Sequence, residues 1–288
     1  MARPTYPLQV EINEKTALKL VKVFKRAYKD IVAEIATATD FGAYNRRVIL
    51  ARIESHLTRL GVDVEIFLCD ELPEYYKMGA DDAIRQLKRV DADIAVEHGF
   101  NIVHQDAILA LIDDTSKSFA ESLSTVNRAA GRLLNKATQD LLTYQLAEGT
   151  ISGKALRTVR QTIKGTLQED GLAGLVDRAG RRWSLDSYAE MLIRTKAVEA
   201  RNTGLANRMV ENGYDLVQVS QHPGACPLCT PWEGKVLSVT GETKGYPTVA
   251  DAEATGLFHP NCRHAINTIV PKLAEKTKAY STKTGKYA

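Results

Sequence analysis

The chain has 288 residues, 44% hydrophobic and 25% charged, with a net charge of +3 and four cysteines. That length allows two modest domains with a sizeable core, and the composition is that of an ordinary soluble protein. A charge this small does not indicate nucleic acid by itself, no apolar run reaches membrane-spanning length, and no apolar stretch follows the opening Met-Ala-Arg-Pro to make a signal peptide.

Residues 12–38 read as one amphipathic helix. Leu20, Val21, Phe24, Ile31 and Ile35 recur at helical spacing, with Asn13 as the N-cap. A second helix is expected over 44–60, carrying Val48, Ile53 and Leu57 and stopped by Gly61. A third is expected over 80–97, carrying Ile84, Leu87, Val90 and Ile94. From 103 to 147 there is no proline and a single glycine, Gly131, which is expected to kink the helix. Ile112, Phe119, Val126 and Leu133 repeat every seven residues there, with Leu123, Ala130, Ala137 and Tyr144 as a partner row. That seam suits either a coiled coil or the core helix of an ordinary bundle. Ser152 can cap a further helix through Leu167. Gly171–Trp183 reads as a small hairpin turning at Asp177-Arg-Ala-Gly180. A strong helix spans 186–212, with Gly213 placed as its C′ residue. Asp215–Ser220 alternates like a strand, and the Lys- and Thr-rich segment after Pro271 reads as a mobile tail.

The expected fold class is therefore mainly α, a long helical N-terminal part with a small α+β zinc-stapled C-terminal module. The boundaries are a helical domain over 1–150, a helical connector over 151–213 with its hairpin near 171–184, the module over 214–271, and a basic flexible tail over 272–288.

The chemistry concentrates in that module. Cys226-Pro-Leu-Cys229 and His259-Pro-Asn-Cys262-Arg-His264 form two short knuckles. Two residues between donors, one of them proline, let a tight turn aim both side chains at one point. Zn²⁺ takes four such donors tetrahedrally. Cytoplasmic synthesis is expected, and thiols there stay reduced, which favours metal over disulfide. The expected ligands are Cys226, Cys229, His259 and Cys262, with His264 as the alternative for the fourth place and His222 a weaker one. Four protein donors leave no water site, so the zinc would be structural. The module's thin apolar content implies that its fold leans on the metal. Cys69 stands apart and is expected to be a buried small hydrophobe.

Other chemistries fit less well. A thioredoxin-like redox pair needs a strand–helix setting that Cys226 lacks. A zinc-supported, HNH-like DNA-processing nuclease is the alternative enzyme reading, with His222 and Asn261 as candidates for an open cation site. A Ser220/His222 hydrolase has no orienting acid. Arg157, Arg160 and Lys164 share one side of a helix and Arg178, Arg181 and Arg182 crowd the hairpin. They read as a solvated basic face or as phosphate contacts.

Taken together, Val219-Ser-Gln-His222, Trp232-Glu-Gly-Lys-Val236, Tyr246-Pro247, Gly256-Leu-Phe258 and Asn261-Cys-Arg-His264 carry a resemblance. So do Ile193-Arg-Thr195 and the Asp177–Trp183 hairpin. Over about residues 150–271 the chain resembles the phage minor capsid protein 2 family, related to head-morphogenesis proteins of the phage Mu F type. The resemblance implies a structural protein of the phage head, not an enzyme. It would be built in near the portal from the host cytoplasm, and would assist assembly or the passage of DNA. It also implies a portal protein and a major capsid or scaffolding protein as partners, packaged DNA as a neighbour, and no membrane during assembly. The chain departs from the family pattern at Cys226 and Cys229, where many members have Arg and His, and at His259. Zinc would then be this branch's replacement for a polar network.

Overall fold

The structure, a computed structural model, describes residues 14–38, 41–90, 96, 99–148, 153–169, 183 and 185–269. The Asn13 and Ser152 caps, Ile94, the hairpin up to Arg182, Arg178, Arg181 and Arg182, and the tail over 272–288 lie outside these residues. Five long helices lead the chain: α1 Glu14–Ala36, α2 Ala43–Val90, α3 Ile102–Glu148, α4 Gly153–Glu169 and α5 Leu185–Glu211. A small sheet with one short helix follows: β1 Leu216–Val219, β2 Val236–Ser238, α6 Val249–Ala254 and β3 Ile266–Thr268. The mainly α class with a small α+β C-terminal module is thus observed. The chain divides into two compact units.

One unit comprises Glu14–Leu68 and Asp113–Glu190. Its core holds Leu20, Phe24, Ile31, Ile53, Leu60 and Leu134, each at most 1% exposed. Phe24, Phe119 and Tyr188 meet there, with ring centroids 5.5, 6.0 and 6.1 Å apart. The seam of α3 departs from the expected seven-residue repeat. Leu133 is only half-buried and Tyr144 is exposed, while Leu134 and Leu141 are buried in their place. From Ile112 through Phe119, Leu123, Val126, Ala130, Leu134 and Ala137 to Leu141 the buried row advances about 3.6 residues per turn. It is the row of a straight bundle helix, so the bundle reading holds.

α2 corrects two expected boundaries. The helices expected at 44–60 and 80–97 are one helix, running through both Gly61 and Pro73. Glycine costs a helix interior about 1 kcal/mol and proline about 3 kcal/mol. Leu57, Leu60, Val64, Leu68, Leu72, Tyr76 and Ala80 nonetheless continue one buried stripe across both. Burial of such side chains contributes about 1.5–3 kcal/mol each, which outweighs both breakers. Cys69 is exposed, on the outer face of α2, contrary to its expected burial.

The described residues of the other unit fall within Cys69–Ile112 and Met191–Ala288. α2 and α5 approach closely there: a Cβ on Gly79 would strike the Arg201 carbonyl, and one on Gly204 the Tyr76 carbonyl. α5 ends as expected at Gly213, with φ +77°. Its N–H donates to the Val210 carbonyl at 2.9 Å and that of Tyr214 to the Met209 carbonyl at 2.9 Å, a Schellman closure. The turn delivers the chain into β1, the centre of an antiparallel sheet ordered β2-β1-β3. The outer edge of β3 is covered by helical side chains. Asn202 Oδ1 accepts the Ile266 N–H at 3.1 Å, and Gln86 Oε1 the Thr268 N–H at 2.8 Å. Arg201, 2% exposed, pairs with Asp82 at 3.0 Å and donates to the Ile266 carbonyl. Val217, Val219, Leu237, Leu257 and Ile266 pack in one core with Leu205 and Met209 of α5 and Leu87 of α2.

Candidate metal centre

β1 fixes the start of the site. The Ser220 N–H donates to the Ala265 carbonyl at 2.8 Å, and Ser220 Oγ accepts the Ala265 N–H at 2.9 Å. The stretches leading out of β1 and into β3 are thereby clamped side by side, and each bears a knuckle. In the first knuckle the Cys229 and Thr230 N–H groups donate to the Cys226 carbonyl at 3.0 and 2.9 Å. The Leu228 and Cys229 N–H groups also face the Cys226 sulfur. In the second, the Cys262 N–H donates to the His259 carbonyl at 2.8 Å, and Asn261 takes the left-handed conformation at φ +66°. Asn261 is held from α5: its N–H donates to Thr195 Oγ1 at 3.2 Å, and its Oδ1 accepts from Arg194 at 3.2 Å.

All five expected donors converge. They form two overlapping triads, Cys226–Cys229–His259 and Cys229–Cys262–His264, with ligand atoms in each within 4.8 Å of one another. Cys226 Sγ lies 3.1 Å from His259 Nε2, Cys229 Sγ 3.6 Å from Cys262 Sγ, and Cys262 Sγ 3.4 Å from His264 Nδ1. Two thiolates on one tetrahedral zinc stand about 3.8 Å apart, and a thiolate and an imidazole nitrogen about 3.5 Å. The residues therefore fit a metal ion. Each imidazole turns one nitrogen toward the thiols and the other toward an oxygen acceptor. His259 Nδ1 is 2.8 Å from the Pro260 carbonyl and His264 Nε2 is 3.1 Å from Glu233 Oε1, so each outer N–H has an acceptor.

The electrostatics favour a cation. Burial pushes the Cys226 thiol up, but backbone N–H groups and His259 outweigh it and bring the pKa to about 7. Burial and the neighbouring Cys262 sulfur push Cys229 far up, because adjacent thiolates repel. For Cys262 and His264, burial opposes charge, and their mutual contact, with Glu233 behind the imidazole, overcomes it. The thiol is lowered and the imidazole raised. A divalent ion would relieve the thiolate repulsion. A cleft of about 470 Å³, lined in part by His259 and Cys262, gives the donors an approach from solvent.

The enzyme candidates are engaged in structure. Ser220 is 5% exposed, with its oxygen accepting the Ala265 N–H. The Asn261 side chain faces Arg194. The His222 ring lies 6.0 Å from that of His264, and the His222 backbone N–H donates to Glu233 Oε1 at 2.5 Å. In the other unit, Arg157 is exposed on α4 while Arg160 donates to the Ala38 carbonyl. Sequence reading missed Glu233, which touches both His222 and His264, and missed Arg194 and Thr195 as holders of the second knuckle. Glu233 lies in the Trp232–Val236 run and Arg194 and Thr195 in the Ile193–Thr195 segment, but nothing in those runs says what they touch, and the two α5 residues lie more than sixty positions from Asn261.

Fold and site define a mainly helical protein whose small α+β module gathers thiols and imidazoles on two knuckles. Residues 70–285 match the phage minor capsid protein 2 family, and the chain belongs to it, which sets it among phage structural proteins. The chain is also similar to a structural protein of Lactococcus phage LL-H, 28% identical over 100 residues. That stretch is 32% of this chain and 27% of the relative, so the match spans about a quarter of the relative's length. No solved structure matches the chain.

Proposed function

We propose that this chain is a minor component of the phage head, built in at the portal region during assembly in the host cytoplasm. There it assists head assembly or the passage of DNA, and acts by binding, not catalysis. The family match over 70–285 carries the reading. Its partners are the portal protein and a major capsid or scaffolding protein. The helical part over 1–150 presents the partner surface, 151–213 connects it to the module over 214–271, and 272–288 adds a basic tail.

In this reading the module holds a structural zinc through Cys226, Cys229, Cys262 and His259, with His264 the alternative fourth ligand. When bound, the ion ties the two knuckles together and offers water no open place. Glu233 and the Pro260 carbonyl fix the imidazole tautomers, while Arg194 and Thr195 hold the second knuckle against α5.

The test is mass spectrometry of purified heads and of detergent-solubilised portal complexes from infected cells. A fixed low copy number in heads and co-purification with the portal protein are expected. Absence of the chain from purified heads overturns the reading.

A further inference from the structure

The positive charge of the helices is unevenly distributed. α2 carries eight cations and eight acids, α3 four cations and six acids, and α5 four of each. α1 carries six cations against three acids, and α4 four against one. These two helices pack against each other, in a chain whose whole net charge is +3.

On α1 the charge is ordered. Lys15, Lys19, Lys22, Arg26 and Lys29 follow one another at intervals of three and four residues, and all are exposed. At 100° per residue they fall within an arc of about 80° and run for about 21 Å. Leu20, Phe24, Ala27, Ile31 and Ile35 are buried on the opposite face. The acids of the last turns face elsewhere: Glu34 meets Arg52 at 3.1 Å and His56 at 3.3 Å, and Asp30 lies 4.0 Å from His56. The row thus presents five cations along one exposed face, a layout that suits a polyanion.

We propose that this face of α1 is a duplex-DNA surface that tracks phosphates without reading sequence. The choice of duplex DNA rests on the proposed place inside a phage head. A membrane is the poorer occupant, because the apolar face that would enter lipid is already in the unit's core. A protein is poorer as well, since protein interfaces are depleted in lysine and centre on aromatic anchors, and this row has none. Duplex DNA offers roughly one charge per 1.7 Å of axis, and a straight row of long cationic side chains can follow it.

The experiment is fluorescence anisotropy of the full chain with two unrelated 30-base-pair duplexes, titrated between about 50 and 200 mM salt. Both duplexes should bind alike, with log affinity falling against log salt at a slope of about −4 to −5 for five phosphates. The variant K22E/R26E/K29E should bind at least tenfold more weakly at the lower salt and lose about three units of slope. K22R/K29R should retain binding, which separates charge from misfolding. K77E/K88E, on exposed positions of α2, should change it little. Absence of duplex binding at low salt, an unchanged slope in the triple variant, or equal loss in the α2 control each overturns the proposal. So does loss of the triple variant from heads with its DNA binding intact, which would make the row a protein contact. Incorporation of the wild-type chain into heads is scored separately, so either reading can fail without the other.

Discussion

Asp215 shows how one residue organises the loop after β2. Its Oδ1 accepts the Thr240 N–H and hydroxyl at 2.7 Å each, and its Oδ2 accepts the Ser238 hydroxyl at 2.5 Å and the Thr243 N–H at 3.2 Å. Burial pushes this carboxyl up, but the four hydrogen bonds outweigh it and hold it far below the ordinary carboxylate range. A depressed folded pKa contributes stability that is complete above the unfolded value near 4 and fades as pH falls below it. Asp215→Ala should therefore cost about 2–3 kcal/mol at neutral pH. The gap between wild type and variant should narrow between pH 5 and 3, read from denaturant midpoints at each pH. A gap constant over that range would remove the ionised carboxylate from the explanation.

At the scale of elements, two glycines invite opposite outcomes for one substitution. Gly61 lies inside α2, and a Cβ there would sit 3.5 Å from the Leu123 side chain, an ordinary contact. Gly61→Ala should stabilise by about 0.5–1 kcal/mol, through helix propensity alone. Gly204 faces backbone that cannot move aside, so Gly204→Ala should cost about 3 kcal/mol or force α5 away from α2. Denaturant midpoints moving in opposite directions are the expected result. These positions also show what was legible in the chain. The periods of α1 and α5 and the Gly213 closure were plain, because each is set within a few residues. The continuity of α2 was not, because it is decided by burial of the stripe from Leu57 to Ala80 against distant chain.

For the whole molecule, the module's dependence on metal is narrower than its own apolar content suggests. Its sheet shares a core with Leu205, Met209 and Leu87, so burial supports β1 to β3 without the ion. Cys229 and Cys262 reach into that core, but Leu228 at the tip of the first knuckle is 53% exposed. Purified protein should contain about one zinc per chain. Chelation should make residues 221–234 and 255–264 sensitive to protease while the helices stay resistant. His259→Ala should release the metal and His264→Ala should not, and the reverse would exchange the two ligand roles. Equal protease resistance with and without chelator, in protein shown to have held zinc, would contradict the staple.

The chain by itself determined the helical class, the strand after Gly213 and which cysteines and histidines cluster, because periodicity, a turn glycine and C-x2-C spacing are all local properties. Tertiary structure alone decided that α2 is one helix, that Cys69 faces outward and that Leu134 takes the place of Leu133 in the seam. It alone assigned Glu233, Arg194 and Thr195 to the knuckles. Those outcomes depend on which surfaces meet across tens or hundreds of residues, where packing energy exceeds the local preference and leaves no spacing to read.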